Sequence, residues 1–269
     1  MPFLTRDGVR LRYVDSGRGA VTLLFIHGGA GDIEQWDGQA KAFGRDYRVV
    51  RIDLRGHGRS DAPLDGPYTI ESFADDTYWM IRQLKLDRPV VIGHSLGGAV
   101  AARLAVQHPR AVRGVVLADP QISRRMKLAV RRNRREHPLP PGVDGLAVQF
   151  RPGFDQATID RIIARTSKTP AHVRGGGAVW VHDIDEAVRR LSELRIPAMY
   201  IGGDSSPGRE PSEARRALEG TCIWIGTVVA SGHYVFIEAA EQFNAMLRRF
   251  LAELARPRAR GRAPVATRA

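Results

Sequence analysis

The sequence predicts an α/β fold with a mostly parallel central sheet, and three observations lead to this prediction. Short apolar runs recur along the 269-residue chain, separated by longer stretches with helical periodicity. This alternation is typical of parallel strands joined by crossover helices. The runs are nearly continuous, as expected for strands that are covered on both faces. A hydrophobic content of 43% is enough for a full core.

The predicted elements follow in order along the chain. Residues 9–14 alternate between apolar and polar side chains, so we expect a half-exposed strand there. Buried strands are predicted at residues 21–26, 48–53, 89–92, 113–118, 196–201 and 221–229. Helices are predicted at residues 70–86, 99–107, 211–218 and 239–254. The alternation breaks at residues 121–190, which we interpret as a helical cap inserted into a core of residues 1–120 and 191–255.

The net charge of +12 is concentrated in two segments. Residues 124–135 contain seven basic side chains and no acidic one, and residues 256–269 contain five arginines and no acidic residue. These twelve basic residues account for the whole excess of basic over acidic side chains, so the rest of the chain is near neutral. A uniformly basic face for binding nucleic acid is therefore not indicated. We interpret residues 256–269 as a disordered basic tail. For residues 124–135 we favour a solvated helix face, with recognition of anionic substrates as the alternative.

The single cysteine, Cys222, excludes an internal disulfide. Because it falls in an apolar run, we expect it to pack in the core. No apolar run reaches the length of a membrane span, and the first residues lack a signal-peptide pattern. We therefore expect a cytoplasmic protein that contacts neither membrane nor nucleic acid, and the sequence leaves a homodimer open.

The most informative segment is Gly93-His94-Ser95-Leu96-Gly97, which lies between a predicted strand and a predicted helix. In this setting the pattern G-x-S-x-G is typical of a sharp turn that exposes a nucleophilic serine. We predict that Ser95 is the nucleophile and that the Leu96 backbone N–H is one donor of an oxyanion hole. The alternative is a serine that only caps the following helix.

A glycine-rich loop at residues 27–31 follows the strand predicted at residues 21–26. This loop can bring a second backbone donor opposite Leu96, which we assign to Gly29, with Ala30 as the next candidate. A phosphate-binding loop is disfavoured because the lysine and the serine or threonine of such loops do not follow. We predict a structural role for His27.

Two further histidines follow predicted strands. His57 lies in the glycine-containing loop at residues 53–60, and we interpret it as a loop histidine rather than a base. His233 follows the last predicted strand, at the sheet edge where catalytic groups of open α/β sheets gather. We predict that His233 is the general base for Ser95, with an ordinary surface histidine as the alternative.

In this order, the motifs resemble those of the α/β-hydrolase fold. The resemblance rests on residues 27–29, 53–60, 93–98 and 232–233, and it extends over residues 1–120 and 190–255. It implies acyl hydrolysis by a serine, a histidine and a carboxylate, without a metal or an organic cofactor. A serine nucleophile argues against haloalkane dehalogenase and epoxide hydrolase chemistry, for which these relatives use aspartate.

The acid of this triad is not obvious, because the sequence departs from the family pattern. Most relatives have an aspartate three residues after a glycine that ends the seventh strand. Counted from either glycine at 202–203, that position holds Ser205 or Ser206, and Asp204 comes too early. Some relatives take the acid from the end of the sixth strand, where this chain has Asp119. We favour Asp119 over Asp204.

The leading hypothesis is a hydrolase that cleaves a carboxylic ester or a lactone of a small molecule. A C–C bond hydrolase or a cofactor-free perhydrolase with the same triad stays open, as does a ligand receptor with little turnover. The resemblance does not identify a substrate. Trp180, the only tryptophan of the predicted cap, is expected to face the substrate. Packing of Trp180 between cap and core is an equal alternative.

Overall fold

A computed structural model describes residues 2–139, 144–175 and 184–256. Within these ranges, eight strands form one sheet: β1 (Phe3–Arg6), β2 (Val9–Gly17), β3 (Thr22–Ile26), β4 (Arg48–Ile52), β5 (Val90–His94), β6 (Gly114–Ala118), β7 (Ala198–Gly203) and β8 (Trp224–Val228). Their order across the sheet is β1-β2-β4-β3-β5-β6-β7-β8. Strands β1 and β2 run antiparallel to their neighbours, whereas β4, β3 and β5 to β8 are parallel. The predicted fold class is confirmed.

The helices of the described ranges are α1 (Asp37–Phe43), α2 (Ile70–Gln83), α3 (Leu96–Gln107), α4 (Arg124–Glu136), α5 (Gln156–Thr166), α6 (Ala171–Gly175), α7 (Ile184–Glu193), α8 (Pro211–Ala217), α9 (Val235–Glu238) and α10 (Ala240–Ala255). Two short 3₁₀ helices occupy Ile33–Trp36 and Ala147–Gln149. None of the helices placed by the structure has the length and apolar character needed to cross a membrane.

The core consists of two apolar layers, one on each face of the sheet. Leu24 and Ile26 of β3 belong to the layer shared with α2 and α3. Leu23 and Phe25 of the same strand belong to the layer shared with α1 and α10. Successive side chains of a strand point to opposite faces, so a continuous apolar run supplies both layers. This is why the buried strands could be recognised as unbroken apolar runs.

The last predicted strand is shorter than expected, and one core prediction is wrong. Cys222 is exposed, and it precedes β8 rather than lying within it. Strand β8 is at the edge of the sheet, and its Trp224 and Ile225 are exposed as well. An apolar run in an edge strand therefore did not imply burial. The first strand and the helical segment at residues 33–43 were not predicted.

Helices α4 to α7 connect β6 to β7, over the described part of the predicted cap. Helix α7 buries Ala187, Val188 and Leu191 in the same apolar layer as α3, so it packs like a crossover helix. A cap function for residues 121–190 stays a prediction. Trp180 lies outside the described residues, and so does the predicted tail beyond Arg256.

The parallel strands bring the predicted site residues to one edge of the sheet. The carboxyl ends of β3, β5, β6, β7 and β8 all lie at this edge. Each predicted site residue follows one of these ends directly or within a few residues: Gly29, Ser95, Asp119, Asp204 and His233. The ladder continues one residue past the strands, because Ser95 N–H donates to the Ala118 carbonyl (3.0 Å) and Asp119 N–H donates to the Ile201 carbonyl (2.8 Å).

Candidate active site

Ser95 lies alone between β5 and α3, in a strained backbone conformation. Its φ of 50° and ψ of −113° are rare for a residue with a side chain and cost about 1–3 kcal/mol. The side chain is half-buried, and it lines the large cavity at the carboxyl edge of the sheet. Strain of this kind persists only where the surroundings impose it, and here it places the serine hydroxyl at the tip of a turn.

The glycines on either side of Ser95 are required by close backbone contacts. A Cβ atom at Gly93 would lie 2.0 Å from the Gly97 carbonyl oxygen. A Cβ atom at Gly97 would lie 2.4 Å from the Ile26 carbonyl oxygen at the end of β3. The turn itself therefore requires a glycine at position 93, and its approach to β3 requires a glycine at position 97.

The two residues whose backbone N–H groups are predicted to form an oxyanion hole both line the cavity of Ser95. Leu96 is the first residue of α3, where the backbone N–H has no carbonyl acceptor within the helix. Gly29 follows β3 and lines the same cavity as Ser95 and Leu96. Ala30, the second candidate, has a φ of 57°, and its carbonyl accepts a hydrogen bond from Thr169.

His27 holds the Gly29 loop and does not line the cavity. Its Nδ1–H donates to the Gly28 carbonyl at 2.7 Å, and its Nε2 accepts the Leu54 N–H at 3.0 Å. Burial lowers the pKa of His27 to about 4, so the ring is neutral. His57 is also buried; its pKa is lowered to about 3, and its Nδ1–H donates to the Arg55 carbonyl. Both rings thus form hydrogen bonds to backbone groups, and their structural role stays a prediction.

His233 and Asp119 form the central hydrogen bond of the site. The distance from His233 Nδ1 to Asp119 Oδ2 is 2.7 Å, and both side chains are buried. Asp119 also has a left-handed backbone, with a φ of 53°. A proton on Nδ1 directed to the carboxylate leaves Nε2 with a free lone pair. His233 lines the cavity together with Ser95.

Two hydroxyl groups donate hydrogen bonds to the Asp119 carboxylate. Ser206 donates to Oδ2 at 2.6 Å, and Tyr200 donates to Oδ1 at 3.2 Å. Ser206 occupies one of the two positions at which the family pattern expects the acid. The side chain there contacts the carboxylate from the neighbouring strand instead of replacing it. The sequence analysis counted this position but did not foresee the contact.

Asp204, the alternative acid, has a different set of partners. Its Oδ2 accepts the Ala230 N–H at 3.0 Å, and its Oδ1 accepts the Ser231 N–H at 3.1 Å. The Ser205 hydroxyl also donates to Oδ1. The residue is exposed and ties the end of β7 to the loop that follows β8. The structure thus places Asp119, and not Asp204, against His233.

Burial dominates the titration of the Asp119–His233 pair. It raises the pKa of Asp119 to about 7, against the opposing positive charge of Arg209. It lowers the pKa of His233 well below the ordinary value, and the positive charges of Arg209 and Arg134 lower it further. His233 is therefore neutral near pH 7, as a general base must be.

Sequence reasoning missed the residues that position His233. The His233 N–H donates to the Gln149 carbonyl at 2.7 Å, and His94 Nε2–H donates to the His233 carbonyl at 3.1 Å. The Glu238 carboxylate accepts the N–H groups of Gly232 and Tyr234, each at 3.0 Å. His94 and Gln149 are far from His233 in the chain, so no local pattern points to them, whereas Glu238 lies only five residues after His233.

The cavity over Ser95 has a volume of about 680 Å³. Its wall includes Pro120, Ile70 and Tyr234 together with one face of α4. Residues 124–135 are therefore only partly a solvated face, since Arg124, Lys127, Arg131 and Arg134 line this cavity. In the ranges placed by the structure, no group of three His, Cys, Asp or Glu side chains could hold a metal ion.

Comparison with known proteins agrees with this architecture. A family model described as the alpha/beta hydrolase fold matches residues 21–240, and the chain belongs to this family. A Rhizobium rhizogenes protein, RutD, which is named for carbamate hydrolysis, is 27% identical over 86% of this chain and 93% of its own length. The solved enol-lactonase of Burkholderia xenovorans superposes with a TM-score of 0.78 at 24% identity, over 93% of this chain and 100% of that one.

A third relative matches over a shorter region. The dihydrolipoyllysine-residue acetyltransferase component of the acetoin cleaving system of Cupriavidus necator is 41% identical over 118 residues, which are 44% of this chain. The matched region is 31% of that protein, so the chain spans about a third of its length. The similarity therefore concerns one part of a larger protein.

Proposed function

We propose that the protein is a serine hydrolase that cleaves a carboxylic ester or a lactone, with Ser95, His233 and Asp119 as its triad. The observation that carries the proposal is the 2.7 Å hydrogen bond from His233 Nδ1 to the buried Asp119, in a histidine that lines the same cavity as Ser95, a serine in a strained strand–helix turn. Similarity to proteins named as an enol-lactonase and for carbamate hydrolysis supports hydrolysis of an acyl bond.

In the proposed reaction, His233 Nε2 takes the proton from the Ser95 hydroxyl as its oxygen attacks the carbonyl carbon. The backbone N–H groups of Gly29 and Leu96 donate to the oxyanion that develops, which is worth about 3–4 kcal/mol per donor. His233 then protonates the leaving alkoxide, and an acyl group stays on Ser95. A water molecule, deprotonated by His233, then attacks the acyl carbon. The bond from that carbon to Ser95 Oγ breaks, His233 returns the proton to Oγ, and the acid is released.

The proposal is tested by hydrolysis of 4-nitrophenyl butyrate, with Ser95→Ala as the variant and Ser205→Ala as the matched control. Ser205 is an exposed serine whose hydroxyl contacts only the distal Asp204 among the described residues. We expect Ser95→Ala to lower kcat by about 10⁴-fold or more, and Ser205→Ala to leave it unchanged. Equal activity of both variants and the wild type would refute the nucleophile.

A serine-directed phosphonate separates this proposal from the ligand-receptor alternative. If the protein is an enzyme, we expect the phosphonate to label Ser95 and the rate of labelling to equal the rate at which ester hydrolysis is lost. Labelling of Ser95 in a protein that turns over no ester or lactone would favour a receptor. Hydrolysis of C–C bonds or peracid formation uses the same triad, and a panel of 1,3-diketone and peroxide substrates distinguishes these activities from ester cleavage.

A further inference from the structure

One face of α4 forms a basic wall of the cavity that contains Ser95. Arg124, Lys127, Arg131 and Arg134 all line this cavity. They are spaced by three, four and three residues, which places them on one side of the helix. Helical periodicity therefore divides the basic segment into a face toward the cavity and a face away from it.

The charges of α4 are only partly compensated by carboxylates. On the outer face, Arg125 lies 2.6 Å from Glu213, and Arg132 lies 3.9 Å from Glu136. On the cavity face, neither Arg131 nor Arg134 has a carboxylate within 4.0 Å among residues 2–139, 144–175 and 184–256. These guanidinium groups keep their donors available to the cavity.

A further cation reaches the cavity from the loop after β7. Arg209 is 4% exposed and lines the cavity, and its Nε lies 3.8 Å from Asp119 Oδ2. In the described part of the chain, this Nε has no hydrogen-bond partner. The loop packs directly on α4, since a Cβ at Gly208 would lie 2.6 Å from the Cα of Val130.

Among the described residues, the cavity is lined by five basic side chains and a single carboxylate, that of Asp185. This carboxylate is already engaged, because its Oδ2 accepts the Arg124 N–H at the start of α4. A cavity with such an excess of one charge concentrates ligands of the opposite charge. Guanidinium groups also match the geometry of an oxyanion through paired N–H donors.

We propose that the substrate carries a free oxyanion, most simply a second carboxylate, that binds among Arg131, Arg134 and Arg209 while its acyl carbon lies at Ser95. This inference rests on the proposed hydrolase function and narrows its substrates to acidic esters or lactones. Arg209 lies between the basic wall and the proposed triad, because it lines the cavity and its Nε is 3.8 Å from Asp119 Oδ2.

The test compares two esters that differ only in the distal group, 4-nitrophenyl hydrogen adipate and its methyl ester. We expect the wild type to prefer the acid at least tenfold in kcat/KM. The double variant Arg131→Gln/Arg134→Gln should reduce this preference about tenfold. Arg135→Gln is the matched control, since Arg135 is exposed on the same helix and does not line the cavity. Arg209 is left intact because it contacts Asp119.

Ionic strength gives a second readout. Exposed charges are screened within about 10 Å at 0.1 M salt. Raising NaCl from 50 to 500 mM should therefore lower kcat/KM for the acid and not for the methyl ester. With ester hydrolysis intact, an acid-to-methyl ratio near one, or a ratio that the double variant leaves unchanged, overturns the inference but not the hydrolase.

If neither ester is hydrolysed, the proposed function fails for these substrates. The oxyanion site can then still be tested by measuring ligand binding. Calorimetry on Ser95→Ala protein then compares adipate with dimethyl adipate. Tighter binding of adipate that is weakened by the double substitution, and not by Arg135→Gln, supports the oxyanion site. Equal binding of the two ligands, or no binding of adipate, overturns it.

Discussion

Ser206 donates a 2.6 Å hydrogen bond to Asp119 Oδ2, the oxygen that also accepts the His233 Nδ1–H. The two residues belong to neighbouring strand ends, those of β7 and β6. One of the two positions at which the family pattern expects an acid thus holds a hydroxyl that donates to a carboxylate of the adjacent strand end. With Asp119 as the acid, as we propose, the carboxylate against His233 comes from the end of β6 instead of β7.

Asp119→Asn should reduce kcat by about 10³- to 10⁴-fold, because an amide cannot hold His233 in the tautomer with a free Nε2. The matched variant, Asp204→Asn, keeps one oxygen that can accept and loses one acceptor for the N–H groups of Ala230 and Ser231, away from His233, so kcat should change by less than about tenfold. Hydrolysis of 4-nitrophenyl butyrate measures both. A collapse of kcat confined to Asp204→Asn would refute the assignment of the acid.

Ser206→Ala should shift the acidic limb of the pH profile of kcat/KM to higher pH. The Ser206 hydroxyl stabilises the charged carboxylate and so lowers the pKa of Asp119, which burial has raised to about 7. Without this hydroxyl, the pKa of Asp119 rises and the active ionisation state is reached only at higher pH. The limb reports the Asp119–His233 pair as a unit. Ser205→Ala, at the neighbouring exposed serine, should leave the profile in place.

Glu238→Gln should lower kcat while it leaves KM almost unchanged. The Glu238 carboxylate accepts the backbone N–H groups on both sides of His233, and the NH₂ of glutamine cannot accept a hydrogen bond. Leaving a buried N–H without an acceptor costs about 1–3 kcal/mol of stability. The backbone around His233 is then held less firmly, so the imidazole is less well positioned. Steady-state kinetics and the urea midpoint check this expectation. The exposed Glu241→Gln in α10 is the control, and an equal effect there would contradict the positioning role.

Gly93→Ala should destabilise the protein by about 3 kcal/mol or more, because its Cβ would overlap the Gly97 carbonyl at 2.0 Å. Gly38→Ala provides the contrast. Gly38 lies in α1 with no atom within 4 Å of an added Cβ, so alanine should stabilise the protein by about 0.5–1 kcal/mol. Urea denaturation followed by circular dichroism measures both changes. Wild-type stability of Gly93→Ala would show that the turn tolerates a side chain.

Much of the site could be predicted because it depends on local sequence. A strand, a glycine-flanked serine and a helix are consecutive in the chain, so the turn at Ser95 was visible without any tertiary contact. The same holds for the glycine loop after β3 and for a histidine just after β8. Parallel strands then bring these loops to one edge, which the alternation of elements already implied.

Only the tertiary structure determined the contacts between distant parts of the chain. That Asp119 rather than Asp204 meets His233 depends on backbone directions at two neighbouring strand ends. Cys222 is exposed because β8 lies at the edge of the sheet, which an apolar run does not reveal. The sequence predicted a solvated helix face for residues 124–135, but the packing of α4, including Val130 against Gly208, sets which of its faces meets the cavity. A turn such as the one at Ser95 depends on residues that are consecutive in the chain. Which carboxylate meets a buried histidine depends instead on how the strands and helices pack.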